Sequence, residues 1–434
     1  MSRGLAMSVL LEVESGRRLD VAWEASGASG SAGRSWLRRL IYGTVRLQGR
    51  LDHILSQYLS RPLPELDPVV RIALRLGAYQ ILEMDGVPAY AAVSESVALV
   101  KGTSNRAASG LVNAVLRRID RERPSESSCF PDPAADLAGY LTAWCSHPRW
   151  LVRRWIGYFG PQGAQALVAA NNLEPEICLR PVGVAVQEAE AALARAGLCD
   201  VVGQRMAAPG PERRSWVRLR RGTDPGAALA LVPGVIQDPA ASLVVDYASV
   251  PPGALVADLC AAPGGKALAL SEGAGGVLAA ELSPRRLGRV AAGARRLGVP
   301  VWPVAADARF PPLECADLVL VDAPCSGTGT IRRHPDGRWR LKEGDIAGLA
   351  DVQRSILEGA ASAVPRGGLL VYATCTLEPE ENQSQVQRFL ARHPDFRIEP
   401  AAEPGAFLDG KGCLVVLPQE SGFDGAFAAR MRRT

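Results

Sequence analysis

At 434 residues the chain is too long for one ordinary hydrophobic core, and at roughly 150 residues per domain two or three are expected. No apolar run approaches the ~18 residues needed to span a bilayer, and the first twenty residues lack the apolar core and cleavage site of a signal peptide, so a cytoplasmic protein with no membrane partner is expected. Nine cysteines are scattered singly with no CxxC pair, histidines number only four, and net charge is +4, a composition that argues against a zinc site and a disulfide framework and for reduced thiols and no bound metal.

Residues 1–125 read as all helical. Residues 68–84 (PVVRIALRLGAYQILEM) bring Val69, Ile72, Leu76, Tyr79 and Leu82 near helical spacing with arginines between them, and residues 91–100 and 110–119 repeat the style. This third carries 17 Arg plus Lys against 12 Asp plus Glu, a surplus of five that hints at a polyanionic partner. The stretches GRLDHILSQYL, LDPVVRIALRLGAYQIL, VPAYAAVSESVALVK and GLVNAVLRRI, between residues 36 and 119, resemble the NusB-type helical RNA-binding domain that opens bacterial ribosomal RNA methyltransferases. The resemblance implies RNA contact from this domain.

A polar link, residues 122–135 (ERPSESSCFPDPAA), follows. In residues 146–155 (SHPRWLVRRW) three arginines and two tryptophans crowd one turn and helix, a combination able to hold phosphate and stack on bases, or else to serve as core and solvent face. Residues 136–231 hold short strand-like and helical pieces (ICLRPV, VQEAEAALARAG, SWVRLRR) and read as a small α+β module, which in the resembled family would be an RNA-recognition module.

From residue 232 to 434 the pattern becomes strand, loop, helix. Short apolar runs at 256–259, 277–282, 301–304, 318–321 and 369–373 alternate with helical stretches such as 284–297 and 347–364, which predicts a Rossmann-like α/β domain with a parallel sheet covered on both faces. Ligands bind such sheets outside the carboxyl ends of the strands. After the first strand, Gly264 and Gly265 permit a sharp turn close to a ligand, and an acidic residue, Glu281, closes the second strand about 20 residues on, where a carboxylate reaches ribose hydroxyls. Asp307 follows the third strand, in reach of an adenine edge. The G-x-G-x-x-G of dinucleotide sites and the Gly-Lys-Ser/Thr of a P-loop are absent, so S-adenosylmethionine fits better than NAD or ATP.

Two cysteines stand at strand tips, Cys325 in DAPCSGTG and Cys375 in YATCTLEPEEN. One such cysteine alone is ordinarily an inert small hydrophobe. The pair suits a reaction in which a thiolate adds to carbon 6 of a pyrimidine and so makes carbon 5 nucleophilic toward a methyl donor. Together with CAAPGGK, these motifs resemble the RNA cytosine-C5 methyltransferase family, and with the helical front the whole chain resembles its bacterial 16S rRNA branch, the RsmB/Sun/Fmu type. The resemblance implies donor contacts from Cys260, Ala261, Ala262, Pro263, Gly264, Gly265, Lys266, Glu281, Asp307 and Asp322. It implies a catalytic set of Cys375 as nucleophile, Cys325 assisting release, Asp322 bonding the cytosine ring and Lys266 as a nearby positive charge. Two departures are Ala267 where threonine is common and glutamate rather than aspartate at 281. Residues 331–340 (IRRHPDGRWR) resemble the family's RRHPD signature and offer four arginines and His334 to an RNA backbone. A monomer acting on small-subunit rRNA is expected. The alternatives are a tRNA cytosine-C5 methyltransferase and a non-catalytic RNA-binding assembly or antitermination factor.

Overall fold

Asp67 and Pro68 start the helix around which the N-terminal part packs. The Asp67 side chain accepts a hydrogen bond from Val69 N at 2.9 Å, and Pro68 takes the first helical position, where its missing N–H costs nothing. The resulting helix, Pro68–Glu83, is buried almost all round from Val70 to Ile81 and packs against helices Ser2–Glu14, Arg34–Arg46, Gln48–Ser56, Ala89–Lys101 and Ser109–Glu122. Its arginines turn inward. Arg75 forks Asp52 at 2.7 and 2.8 Å and reaches Glu14 Oε1 at 2.7 Å, while Arg71 takes Glu14 Oε2 at 2.7 Å. Buried charges persist only when paired and hydrogen-bonded. These two arginines are therefore tied up inside the helical core and are not offered to a polyanion, while the surplus of five, which already counts Glu14 and Asp52, remains.

The computed structural model describes residues 2–30, 33–125, 129–200 and 215–434. Of the expected link, residues 126–128 lie outside the described residues. By its contacts the chain divides into two units, Met1–Glu174 with Ile331–Glu343, and Pro175–Thr330 with Gly344–Thr434. These units part from the expected boundaries at the two helices after the link and at Ile331–Glu343, the last of these differences. Helices Leu137–Ala143 and Arg149–Asn172 belong to the first unit, not to the α+β module. Trp155 is fully buried there, edge-on to His147 with ring centroids 5.7 Å apart, so it is core and not a base-stacking platform. Ile331–Glu343 also belongs to this unit.

Burial withdraws Arg338 from the four arginines expected to face an RNA backbone, whereas Arg340 is exposed. Arg338 is 0% exposed, and its guanidinium donates to Ser146 O at 2.8 Å, Asn172 Oδ1 at 2.9 Å and Asn171 O at 3.2 Å. Burial pushes this group well below the usual arginine range, with Arg46 adding repulsion. Trp339 Nε1 donates to Val45 O at 2.9 Å, Asp336 accepts from Leu19 N at 3.2 Å, and Arg340 pairs with Asp336 at 2.9 Å. Arg338 is a buried fastener of the helical unit and cannot reach a phosphate.

In the second unit, β1 (Cys178–Pro181), β2 (Val217–Arg218) and β3 (Gly234–Ile236) form an antiparallel sheet in the order β2-β1-β3, joined by helices Val186–Arg195 and Pro225–Leu231. The third strand lies beyond residue 231, so this sheet reaches into what was expected to be the catalytic domain.

The main sheet has five parallel strands, β4 (Leu255–Asp258), β5 (Gly276–Glu281), β6 (Val301–Ala305), β7 (Leu318–Asp322) and β8 (Leu369–Thr374). Alternate residues serve opposite faces: Val256, Leu318, Leu320, Leu369 and Val371 join one apolar cluster, while Ala257, Val319, Val321, Leu370 and Tyr372 join another. The parallel sheet with a core on each face is as expected. Its antiparallel extension was not foreseen: β9 (Phe396–Ile398), β10 (Leu414–Val416) and β11 (Ala426–Arg433) complete the order β10-β11-β8-β7-β4-β5-β6, with β9 paired to β11. β4 lies between β5 and β7, so the order reverses there, and the crevice outside its carboxyl end is where a ligand belongs. Among the described residues no helix is long and apolar enough to cross a membrane.

Candidate active site

Four of the five parallel strands end in a polar group that faces this crevice or its continuation: Asp258 on β4, Glu281 on β5, Asp322 on β7 and Thr374 on β8. The turn after β4 carries the loop Cys260–Lys266. Gly264 has φ +112° and a side chain there would meet Val290 Cα at 3.2 Å, so both the backbone conformation and the close approach require glycine. Ala261 and Ala262 are buried, Pro263 is exposed, and burial with the nearby Asp258 charge pushes the Cys260 thiol up, leaving it neutral and unreactive.

Glu281 is 5% exposed and its Oε1 accepts from Ser283 N at 3.0 Å and Arg286 Nη1 at 3.3 Å. The same guanidinium donates to Ala262 O at 2.9 Å, tying the donor loop to the acidic strand end. Asp307 is differently engaged: Arg309 Nε lies 3.0 Å from each of its oxygens, the Arg309 N–H donates to Oδ1, and this pairing holds its carboxyl below the usual range. Contact between Asp307 and an adenine amine therefore requires the Arg309 pair to open.

Asp258 was not among the expected site residues. It is 1% exposed, its Oδ1 accepts only a long bond from Cys260 N at 3.3 Å, and its Oδ2 is buried with no partner. Burial, with Asp322 adding repulsion, pushes its carboxyl up to about 7. A buried acceptor left open at a strand tip fits a cationic amine, and the carboxylates of Asp258, Glu281 and Asp322 together suit a ligand carrying positive charge. The donor set thus fits S-adenosylmethionine, with its ammonium and sulfonium groups.

Lys266 and Asp322 meet at 2.6 Å. Burial opposes the lysine charge, but Asp322 outweighs it and the ammonium is held above its usual range. At the tips of β7 and β8, Cys325 Sγ and Cys375 Sγ are 3.4 Å apart. The pair is asymmetric. Cys375 is lowered, first by the hydrogen bond from Cys325 and then, against burial and Asp322, by Lys266. Cys325 is raised well above the ordinary thiol range by the same bond and by burial, with the Glu381 carboxylate also opposing ionisation. The Lys266 ammonium favours a thiolate at Cys375, whereas the Glu381 carboxylate opposes one at Cys325. The structure brings Lys266, Asp322, Cys325 and Cys375 together at the ends of adjacent strands. Among the described residues no cluster of three His, Cys, Asp or Glu side chains is arranged to hold a metal, and none of the nine cysteines is in a disulfide.

Comparison with known proteins gives the family of the chain. Residues 250–432 match the family 16S rRNA methyltransferase RsmB/F, and residues 1–121 match the NusB family. Ribosomal RNA small subunit methyltransferase B of Thermus thermophilus is 38% identical over 99% of this chain and 97% of its own length. The probable ribosomal RNA small subunit methyltransferase B of Bacillus subtilis is 33% identical over 92% and 90% respectively. The crystal structure of PH0851, 25% identical, superposes with a TM-score of 0.81 over 100% of this chain and 99% of that one. The chain therefore belongs to the RsmB/F family of 16S rRNA methyltransferases, RNA-methylating enzymes, and carries a NusB-family domain ahead of the catalytic one.

Proposed function

We propose that the chain transfers a methyl group from S-adenosylmethionine to carbon 5 of a cytosine in small-subunit rRNA, through a covalent bond between Cys375 and carbon 6. The observation that carries this reading is the thiol pair, 3.4 Å apart, beside the Lys266–Asp322 ion pair. The bound donor supplies an electrophilic methyl group. Everything else falls to the chain's own side chains. The Cys375 thiolate adds to carbon 6, which moves electron density to carbon 5. Asp322 accepts a hydrogen bond from the ring and so orients it, and Lys266 steadies the negative charge on Cys375 before attack. Once Cys375 is bonded to carbon, the acceptor that held the Cys325 proton is gone. Cys325 then passes its proton to ring nitrogen 3 and becomes a thiolate; after carbon 5 has taken the methyl group that thiolate removes the carbon-5 proton, the carbon-6–sulfur bond breaks with its electron pair returning to Cys375, and the proton on nitrogen 3 leaves to solvent.

The names of the near-full-length relatives favour small-subunit rRNA over tRNA as the substrate, and the intact thiol pair disfavours a non-catalytic assembly factor. Such a substrate places the work in the cytoplasm. The test is to incubate the purified full chain with methyl-labelled donor and, separately, 16S rRNA, small-subunit particles and tRNA, and to identify the labelled nucleoside by mass spectrometry. 5-Methylcytidine in rRNA is expected; label confined to tRNA, or on another base, would overturn the assignment.

Donor binding carries a pH signature. Asp258 is half protonated near its pKa of about 7 and must ionise to pair with the donor's ammonium. Affinity should therefore rise with pH, by up to about tenfold per unit below that pKa and little above it. Asp258→Asn should bind more weakly and with a flat profile. Calorimetry across about two pH units around neutrality decides it; pH-independent binding by the native chain would remove Asp258 from the donor site.

A further inference from the structure

Glu381 is 0% exposed, and its carboxylate is filled by four donors. Oε1 accepts from Ser326 N at 2.9 Å and Gln353 Nε2 at 2.8 Å; Oε2 accepts from Thr376 Oγ1 at 2.9 Å and from Ser326 Oγ. A charge taken out of water is kept only where donors replace the solvent, and here all four converge from the two cysteine loops and the helix beside them. Ser326 directly follows Cys325, and Thr376 directly follows Cys375. Gln353 also donates to Pro324 O at 3.0 Å, the residue before Cys325. Glu381 is itself anchored to β8, because Tyr372 OH donates to its backbone carbonyl at 2.6 Å.

Two further contacts close the arrangement. Gly329 N donates to Cys375 O at 3.0 Å, and a side chain at Gly329 would come within 2.8 Å of that oxygen. Thr328 Oγ1 accepts from Leu377 N at 2.9 Å and lies 3.0 Å from Thr376 Oγ1. The loop after β7 is thus laid tightly on the turn after β8, with one carboxylate as the common acceptor.

We propose that Glu381 is a positioning residue for methyl transfer, holding the Cys325 loop and the Cys375 turn in the register that keeps the two thiols in hydrogen-bonding contact. Glu381 touches neither thiol by a hydrogen bond; it acts through Ser326 and Thr376. The inference rests on the two-cysteine reading above, and its test includes a readout that does not.

Glu381→Gln preserves shape but removes the charge and turns one acceptor into a donor, so the Ser326 and Thr376 hydroxyls must swing round to accept and the charge-assisted bonds that clamp the two loops become weaker neutral ones. Glu381→Ala removes the acceptor altogether. In the full chain assayed on small-subunit rRNA, kcat should fall about tenfold for Glu381→Gln and about 100-fold for Glu381→Ala, with the KM for the donor within about threefold of native. Independently of RNA, treatment with diamide, which takes the two thiol hydrogens and is reduced to the hydrazine, should close a Cys325–Cys375 disulfide rapidly in the native chain. In Glu381→Gln it should be at least about tenfold slower. If Glu381→Ala does not fold, Glu381→Gln decides alone. A native disulfide rate or a native kcat in Glu381→Gln overturns the positioning role, as does a parallel loss of kcat, donor binding and thermal stability. By contrast, native activity in Cys375→Ala overturns the two-cysteine reading while leaving the diamide comparison intact.

Discussion

Cys375→Ala is expected to lose methyl transfer by at least about 10⁴-fold and to form no covalent species with RNA, the outcome of removing a nucleophile with no substitute. Cys325→Ala should behave differently. It keeps the attacking sulfur, with Lys266 still favouring its thiolate, but lacks the neighbour that moves protons during release, so it should methylate about once and then remain attached to its product. On a denaturing gel the stalled enzyme would migrate as a protein–RNA adduct. The physical basis is the asymmetry of the pair's surroundings: the Lys266 charge favours a thiolate at 375, whereas the Glu381 carboxylate opposes one at 325. An adduct with Cys375→Ala and none with Cys325→Ala would reverse the two roles.

The second large effect is expected at Asp322. Asp322→Asn removes the carboxylate that lies 2.6 Å from Lys266 Nζ and the acceptor assigned to the cytosine ring, and kcat should fall by about 10²–10³-fold, the usual cost of one preorganised contact at a reacting group. Lys266 would lose the partner that holds its charge up against burial, so its pKa should drop and the alkaline limb of the activity profile should move to lower pH. Asp322 also disfavours the Cys375 thiolate. Alkylation of Cys375 by iodoacetamide should therefore be no slower in Asp322→Asn than in the native chain, measured below the pH at which Lys266 discharges. Slow alkylation together with low activity would mean that Asp322 serves the thiol and not the ring.

Much of the catalytic half was legible before any coordinates, for a definite reason. Buried parallel strands are continuous apolar runs, and their ends are marked by abrupt polarity, so Asp322, Cys325, Glu281 and Cys375 could be assigned to strand tips from the letters around them. What the letters did not carry was partnership. Asp258 ends β4 just as Asp322 ends β7, but only the fold reveals that its Oδ2 is buried and unmatched. Glu381 lay inside a quoted motif, yet its four donors come from residues 326, 353 and 376, which no spacing rule connects. Arg338 read as an RNA-binding side chain, and Trp155 as either a stacking surface or core, because Arg and Trp suit both kinds of work; their complete burial is a tertiary outcome. The segment Ile331–Glu343 follows the catalytic loop in sequence and folds with the helical unit, a long-range placement invisible to local pattern. β11 escaped notice because AFAARMRR has the composition of a helix, and it is a strand by virtue of pairing along the whole of β8.

The central claim is that Cys375, and not Cys325, bonds to carbon 6 of the target cytosine. The most direct measurement is to present the native chain and donor with small-subunit rRNA carrying 5-fluorocytidine, whose carbon-5 fluorine cannot leave as a proton, and to locate the trapped crosslink by tandem mass spectrometry of the digested adduct. The account predicts a nucleotide mass on the peptide containing Cys375 and an unmodified Cys325; a nucleotide on Cys325, or no adduct from an enzyme that methylates the unfluorinated RNA, would contradict it.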